Sequence, residues 1–312
     1  MNRQEVWARL AEAGLVAGEL PEPEVGTPWP LRVMQALAGW FGAVIVLLLT
    51  VLMTYEDLAN GGAGLLIGAV YAAAGAVTFL AFSRHTFAAQ FALAVSLTGQ
   101  ALILMGLWRL AGTSSTKETF FVMAGVEAAL ALLVPNYLHR AITALLANVC
   151  LVIGATMAGA PGVATAIAAA GAAAIWLNPV AMARYREILE PAGYGFALSL
   201  VFADGTLVFG PPLMQFLLPA RQIAPVYAVW AGPLAAGGVL LYTAWRLRVS
   251  AGWRGFALAS VVAAGGLAAP GVSVAMQLVL LGFANGTRGL MVLGALAFGG
   301  YLEVISSSRK SA

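Results

Sequence analysis

Two acids interrupt runs that are otherwise apolar: Glu127 in VMAGVEAALA and Asp204 in LVFADGTLVF. At the centre of a membrane helix an acid costs about 2.5–3.5 kcal/mol on insertion scales, so something must compensate it. One kind of compensation is functional, a proton- or cation-linked site. The other is structural, a protonated or hydrogen-bonded acid that ties helices together, with Gln100, Asn148 or Gln277 as partners. These five residues form the candidate intramembrane polar site. Gly205 follows Asp204 directly, which allows a locally unwound helix lining a cavity.

Other chemistries lack their parts. His85 and His139 sit beside Arg84 and Arg140 at expected span ends and read as interfacial side chains. No HExxH is present, and two histidines without a third ligand make a poor zinc site. There is no GxxxxGK[ST] loop, no GxSxG elbow and no dinucleotide fingerprint after a strand. Glu127 and Asp204 match no aspartyl-protease motif. The single Cys150 excludes an internal disulfide and any CxxC site. No enzyme, metal or cofactor is expected.

The elements that must hold these residues follow from composition. Among 312 residues only 9% are charged and 61% are hydrophobic, where a soluble protein carries about 25% charge. So few charges cannot cover a soluble surface. The runs are unbroken rather than alternating, which excludes a transmembrane β-barrel. The expected fold is all-α, a polytopic integral membrane helix bundle whose bilayer is its solvent. The formal net charge is +3, but the basic residues are scattered between spans, so no nucleic-acid partner is expected.

Residues 1–30 read as a cytoplasmic lead-in: an amphipathic helix over 2–16 and the Pro-rich linker PEPEVGTPWP at 21–30. No apolar core precedes residue 31, which argues against a signal peptide. Residues 31–305 form the bundle and 306–312 a polar tail. Spans are expected at 33–54, 62–82, 87–108, 119–134, 138–158, 161–180, 193–210 and 223–244. Pro270-Gly271 then divides the remainder into 254–269, 271–284 and 288–305, eleven spans in all; ten is the alternative, with one long broken helix.

With eleven spans, the N-terminal side holds Arg3, Arg9, Arg32, Arg84, Arg140, Arg184, Arg186, Arg246, Arg248, Arg254 and Arg288. The other side holds Arg109, Lys117, Arg221, Arg309 and Lys310. Merging the pieces around Pro270 exchanges Arg288 for the tail residues. Either way the excess places the N-terminus in the cytoplasm. Trp108, Trp176, Trp230, Trp245 and Trp253 fall near span ends, as an aromatic belt requires. The GxxxG pairs Gly64/Gly68 and Gly282/Gly286 predict close helix contacts without specifying an oligomer. ARYREILEP reads as a solvated interfacial helix. No five-plus-five repeat is visible.

Several segments resemble a bacterial multi-pass membrane family, domain of unknown function 4401. At the N-terminal end these are Trp7, Leu10, Gly14, then Pro28-Trp29 and Met34-Gln35-Ala36-Leu37 through Trp40. Near the other end they are Ala269-Pro270-Gly271 and the run Leu280-Leu281-Gly282-Phe283-Ala284-Asn285-Gly286-Thr287-Arg288. The middle of the chain matches only in hydropathy and spacing. Asn285 replaces the family's usual Arg. The family also continues through a tyrosine cluster and one more span, whereas this chain stops at Tyr301-Leu302-Glu303 and a polar tail, as a truncated or shortened member would. The resemblance implies a bacterial inner-membrane protein of unknown activity. The family's genes often neighbour those of another multi-pass family and a GDYXXLXY-motif protein, which implies a membrane complex.

The expected function is therefore a non-enzymatic component of a membrane complex, with the lipid bilayer and neighbouring membrane proteins as partners. The alternative is a small-molecule or proton-coupled transporter using Glu127 and Asp204. An intramembrane enzyme ranks third, since no nucleophile, base and orienter assemble.

Overall fold

The computed structural model describes Trp7, Ala11, Glu12, Gly14 and residues 29–58, 62–112, 116–208, 226–266 and 270–311. All regular structure among them is helical: α1 Trp29–Leu58, α2 Gly62–Phe82, α3 Thr86–Leu110, α4 Lys117–Leu133, α5 Tyr137–Met157, α6 Pro161–Trp176, α7 Pro179–Arg184, α8 Arg186–Val208, α9 Val226–Gly266, α10 Pro270–Ala284 and α11 Arg288–Ser311. Four segments are long and apolar enough to cross a membrane: Val33–Thr54, Gly62–Phe82, Thr86–Leu110 and Tyr137–Met157. Gly162–Trp176 and Gly271–Ala284 are apolar but shorter. Of the expected lead-in helix, Trp7, Ala11 and Glu12 are helical and Gly14 turns the chain at φ 69°; the rest of 2–16 lies outside the described residues.

Local chemistry sets the helix ends. Asn136 caps α5 by accepting from the His139 amide at 3.0 Å, and Asn178 caps α7 by accepting from the Ala181 amide at 3.0 Å. Pro161 and Pro179 open α6 and α7, where the missing N–H has no partner to lose. Gly286 sits between α10 and α11 at φ 62°, a backbone conformation that glycine adopts without penalty.

α9 is one 41-residue helical run, yet it is not one straight rod. A Cβ built on Gly237 would lie 3.7 Å from the Ala263 carbonyl oxygen. Their separation of 26 positions would span about 39 Å of straight helix. The run must therefore double back, and the pairing of Gly237 with Ala263 centres the reversal near residue 250. A first arm, 226–247, packs on α6 through Gly232, whose Cβ would lie 3.5 Å from Gly162. A second arm, 253–266, leads to α10. The reversal falls in the expected break between 244 and 254, and α10 begins at the expected Pro270.

Two departures concern ends. The α11 backbone stays helical through Ser311, so most of the expected tail 306–312 continues the helix. The α8 backbone is helical through Val208, so no unwinding occurs at Gly205.

α8 lies at the centre, packed by α5, α6, α10 and α11. Trp176, Leu200, Leu278, Leu281 and Leu290 close around it with Ala168, Ala172 and Ala197. A second group, α1 to α3, has its own contacts through Ala43, Ala94, Val95, Tyr71 and Phe91. Close approach makes the α2–α3 pair: a Cβ on Gly68 would lie 2.6 Å from the Gly99 carbonyl oxygen, which is why Gly64, Gly68, Ala72 and Gly75 share one buried face. Of the expected GxxxG pairs, Gly64/Gly68 is a helix contact. In the other, Gly282 packs on Met291 while Gly286 serves the turn.

α3 joins the two groups. Trp108 meets Phe120 edge to face at 5.8 Å, and Leu104 and Leu107 pack on the cluster of Phe120, Met123, Ala124, Cys150 and Ile153.

Candidate functional site

Glu127 is fully buried in α4, and Gln100 in α3 is 2% exposed. The Gln100 Nε2–H donates to Glu127 Oε2, a hydrogen bond across the α3–α4 contact. Glu127 Oε1 and Gln100 Oε1 have no partner among the described residues. A neutral acid would complete this pair, because its O–H can donate to the amide oxygen while the amide N–H donates back. The neighbouring α4–α5 contact is formed by Phe120, Met123, Ala124, Cys150 and Ile153.

Asn148 and Gln277 make other bonds. Asn148 in α5 is buried, and its Nδ2 donates to the Ala144 carbonyl at 2.9 Å within its own helix, leaving Oδ1 without a partner. Gln277 in α10 is fully buried, and its Nε2 donates to the Ala169 carbonyl of α6 at 3.0 Å. That bond ties α10 to α6, well apart in the chain from the Glu127 pair. The backbone of Asp204 lies in α8, but its side chain lies outside the described residues. Among the described residues no hydrogen bond joins the Glu127–Gln100 pair to Asn148 or Gln277.

Sequence reasoning missed a second polar centre at the start of α5. His85 is exposed as an interfacial histidine should be. His139 is fully buried instead, with neither ring nitrogen bonded among the described residues. Arg140 is 8% exposed rather than solvated. Its Nε donates to the Ala131 carbonyl at 3.2 Å and its Nη1 to the Glu187 carbonyl at 2.9 Å. Both acceptors have a physical reason to need a donor. Ala131 lies in the last turn of α4, where carbonyls have no intrahelical partner. Glu187 lies four residues before Pro191, inside α8, and proline has no N–H to give it. One guanidinium thus repairs two helices and joins them to a third. Pro191 was the visible half of this signal; the chain alone gives no sign of which donor would reach Glu187.

The same end of the bundle carries further contacts. Trp176 and Tyr194 meet edge to face at 5.3 Å, and Gly193 and Gly289 leave room for their rings. Arg186 and Glu190 pair at 2.7 Å on the exposed start of α8, where the hydrogen bond to Glu190 raises the Arg186 pKa.

The architecture is that of an apolar helical bundle in which the buried Gln100, Arg140 and Gln277 bond from helix to helix, while Thr143, Asn148, Ser199 and Thr243 bond within their own helices. The chain belongs to the family described as Domain of unknown function (DUF4401), whose model matches residues 28–304. No curated protein and no solved structure matches it. Of the residues that carry the resemblance, Trp7, Leu10 and Gly14 precede the match and the others fall within it. In the structure Gly271 lies under the Tyr301 ring, and Asn285, the departure from the family pattern, donates to the Leu281 carbonyl at 2.8 Å.

Proposed function

We propose that the chain is a multi-pass protein of the bacterial inner membrane and acts there without catalysis, as one component of a membrane complex. The observation that carries this reading is how the interior polar groups are used. Gln277, Arg140 and Gln100 each bond to another helix, which serves assembly. The exterior supports the membrane setting: Met34, Leu37, Phe41, Leu52 and Met53 of α1 and Leu66, Val70 and Leu80 of α2 are all more than half exposed.

The proposed topology has eleven crossing arms, counting α9 as two and leaving out the six-residue α7, with the N-terminus cytoplasmic. Charge supports the orientation. The antiparallel packing gathers Arg84, Arg140, Arg184, Arg186, Arg246, Arg254 and Arg288 towards one end, with Arg109 and Lys117 towards the other.

The test is purification of the tagged full chain from membranes in a mild detergent. Recovery with stoichiometric membrane partners supports the reading; recovery only as an isolated monomer overturns the complex. A reporter fused at the loop between α2 and α3 should respond as a cytoplasmic one.

A second reading, a proton-coupled transporter, has one observation in its favour: the unpartnered oxygens of Glu127 and Gln100 in a buried site. It predicts that Glu127→Gln abolishes transport by the full chain in vesicles; undiminished flux would remove Glu127 from any coupling role.

A further inference from the structure

At the end where α9 doubles back, its two arms and α10 enclose an apolar groove of about 270 Å³. Leu247, Gly255, Leu258, Ala259, Leu280 and Phe283 are among its walls, and no charged side chain lines it. Phe283 is 67% exposed and Leu258 61%, so the groove opens outward rather than into the core. Its size and apolar lining admit a stretch of acyl chain.

The rim is basic. Arg246 immediately precedes Leu247, Arg254 immediately precedes Gly255, and both are exposed. Arg288 opens α11 one short turn after Ala284, the last groove residue of α10, and it too is exposed. Trp245 and Trp253 flank the same reversal and are 45% and 77% exposed, as rings at a headgroup boundary would be. Glu190, near this end, is paired with Arg186.

We propose that this groove binds one acyl chain of an anionic phospholipid, with its phosphate held by Arg246, Arg254 and Arg288. An apolar groove alone would accept any lipid. Guanidiniums at its mouth select a negative headgroup, since they bind phosphate through charge-assisted, often bidentate hydrogen bonds. The proposal rests on the membrane reading above and is independent of membership in a complex.

The test uses the full chain, purified in mild detergent and stripped of lipid. Its melting temperature is followed against phosphatidylglycerol, phosphatidylcholine with the same acyl chains, and inorganic phosphate. Phosphatidylglycerol should raise the melting temperature at concentrations where the other two do not. Each of Arg246→Gln, Arg254→Gln and Arg288→Gln should weaken that response about fivefold. Leu258→Gln, at an exposed wall position, should weaken both lipids. Equal responses to the two lipids, or an unchanged preference when all three arginines are replaced, overturns the proposal. A phosphate response matching that of phosphatidylglycerol overturns the acyl-chain half. Failure of the membrane reading is seen separately, as a chain recovered from the soluble fraction without detergent.

Discussion

Replacing Arg140 with Met removes two hydrogen bonds from a cationic donor to backbone carbonyls on different helices. Bonds to charged groups are worth about 1.5–3 kcal/mol each. Against that loss stands the relief of no longer burying a guanidinium that is 8% exposed, while Met keeps much of the packing of its stem. The expected net cost is about 2–4 kcal/mol, within the range for breaking a buried polar tie. Half of it should depend on Pro191. Pro191→Ala supplies an N–H to the Glu187 carbonyl, so in that background Arg140→Met leaves only Ala131 without its donor. A double-mutant cycle, read from unfolding in mixed micelles, should then show a coupling of about 1 kcal/mol, with Arg140→Met costing less beside Pro191→Ala. Arg140→Lys should recover little, because one ammonium cannot reproduce the planar fork that reaches two carbonyls. If Arg140→Met costs the same with Pro191 and with Ala at that position, the repair of the proline gap is refuted and the cost lies in the Ala131 bond and in packing.

Glu127→Leu should destabilise by about 1–3 kcal/mol in the same assay, because it strands the buried Gln100 amide, whereas Glu127→Gln keeps a two-way pair and should cost less. Gly68→Ala forces a Cβ to within 2.6 Å of the Gly99 carbonyl oxygen and should cost about 1–3 kcal/mol by pushing α2 from α3; a neutral effect would mean that the two helices pack less closely. Gly286→Ala, at φ 62°, should lower stability by about 1–2 kcal/mol, with Gly286→Asn the milder change in a thermal melt.

What the sequence made legible was length and punctuation. Gly62–Phe82 matches its expected span in both bounds, and Pro270 opens α10 where its ring is tolerated. The charged stretch from Trp245 to Arg254 marked the place where α9 reverses. What was not legible was rotation. A helix that is apolar on every side carries no periodicity to say which face turns inward, so nothing predicted that Gln277 would reach Ala169 or that Arg140 would be buried while Arg186 is solvated. Side-chain bonds to backbone carbonyls hide most completely, because any residue can supply the acceptor. His139 shows the same limit: its neighbours in sequence are those of an interfacial histidine, and only the packing of α5 buries it.

The distribution of polar bonds bears on the choice between scaffold and transporter. An alternating-access transporter must expose its coupling residue to each side in turn, so some boundary beside Glu127 has to open. Among the described residues α3 meets the remaining helices at α4 and α5, through the Gln100–Glu127 bond, Trp108 on Phe120, and Leu104 and Leu107 on the cluster of Phe120, Met123, Ala124, Cys150 and Ile153. The α4–α11 group is stitched more firmly, by Arg140 across α4, α5 and α8 and by Gln277 across α6 and α10. Any large motion would therefore be of α1 to α3 as a unit, with Glu127 at the hinge face. A scaffold needs no such motion. In either case the bond between Gln100 and Glu127 is, among the described residues, the side-chain hydrogen bond that links the two groups of helices, and its loss would act on their relative position before it acted on the interior of either.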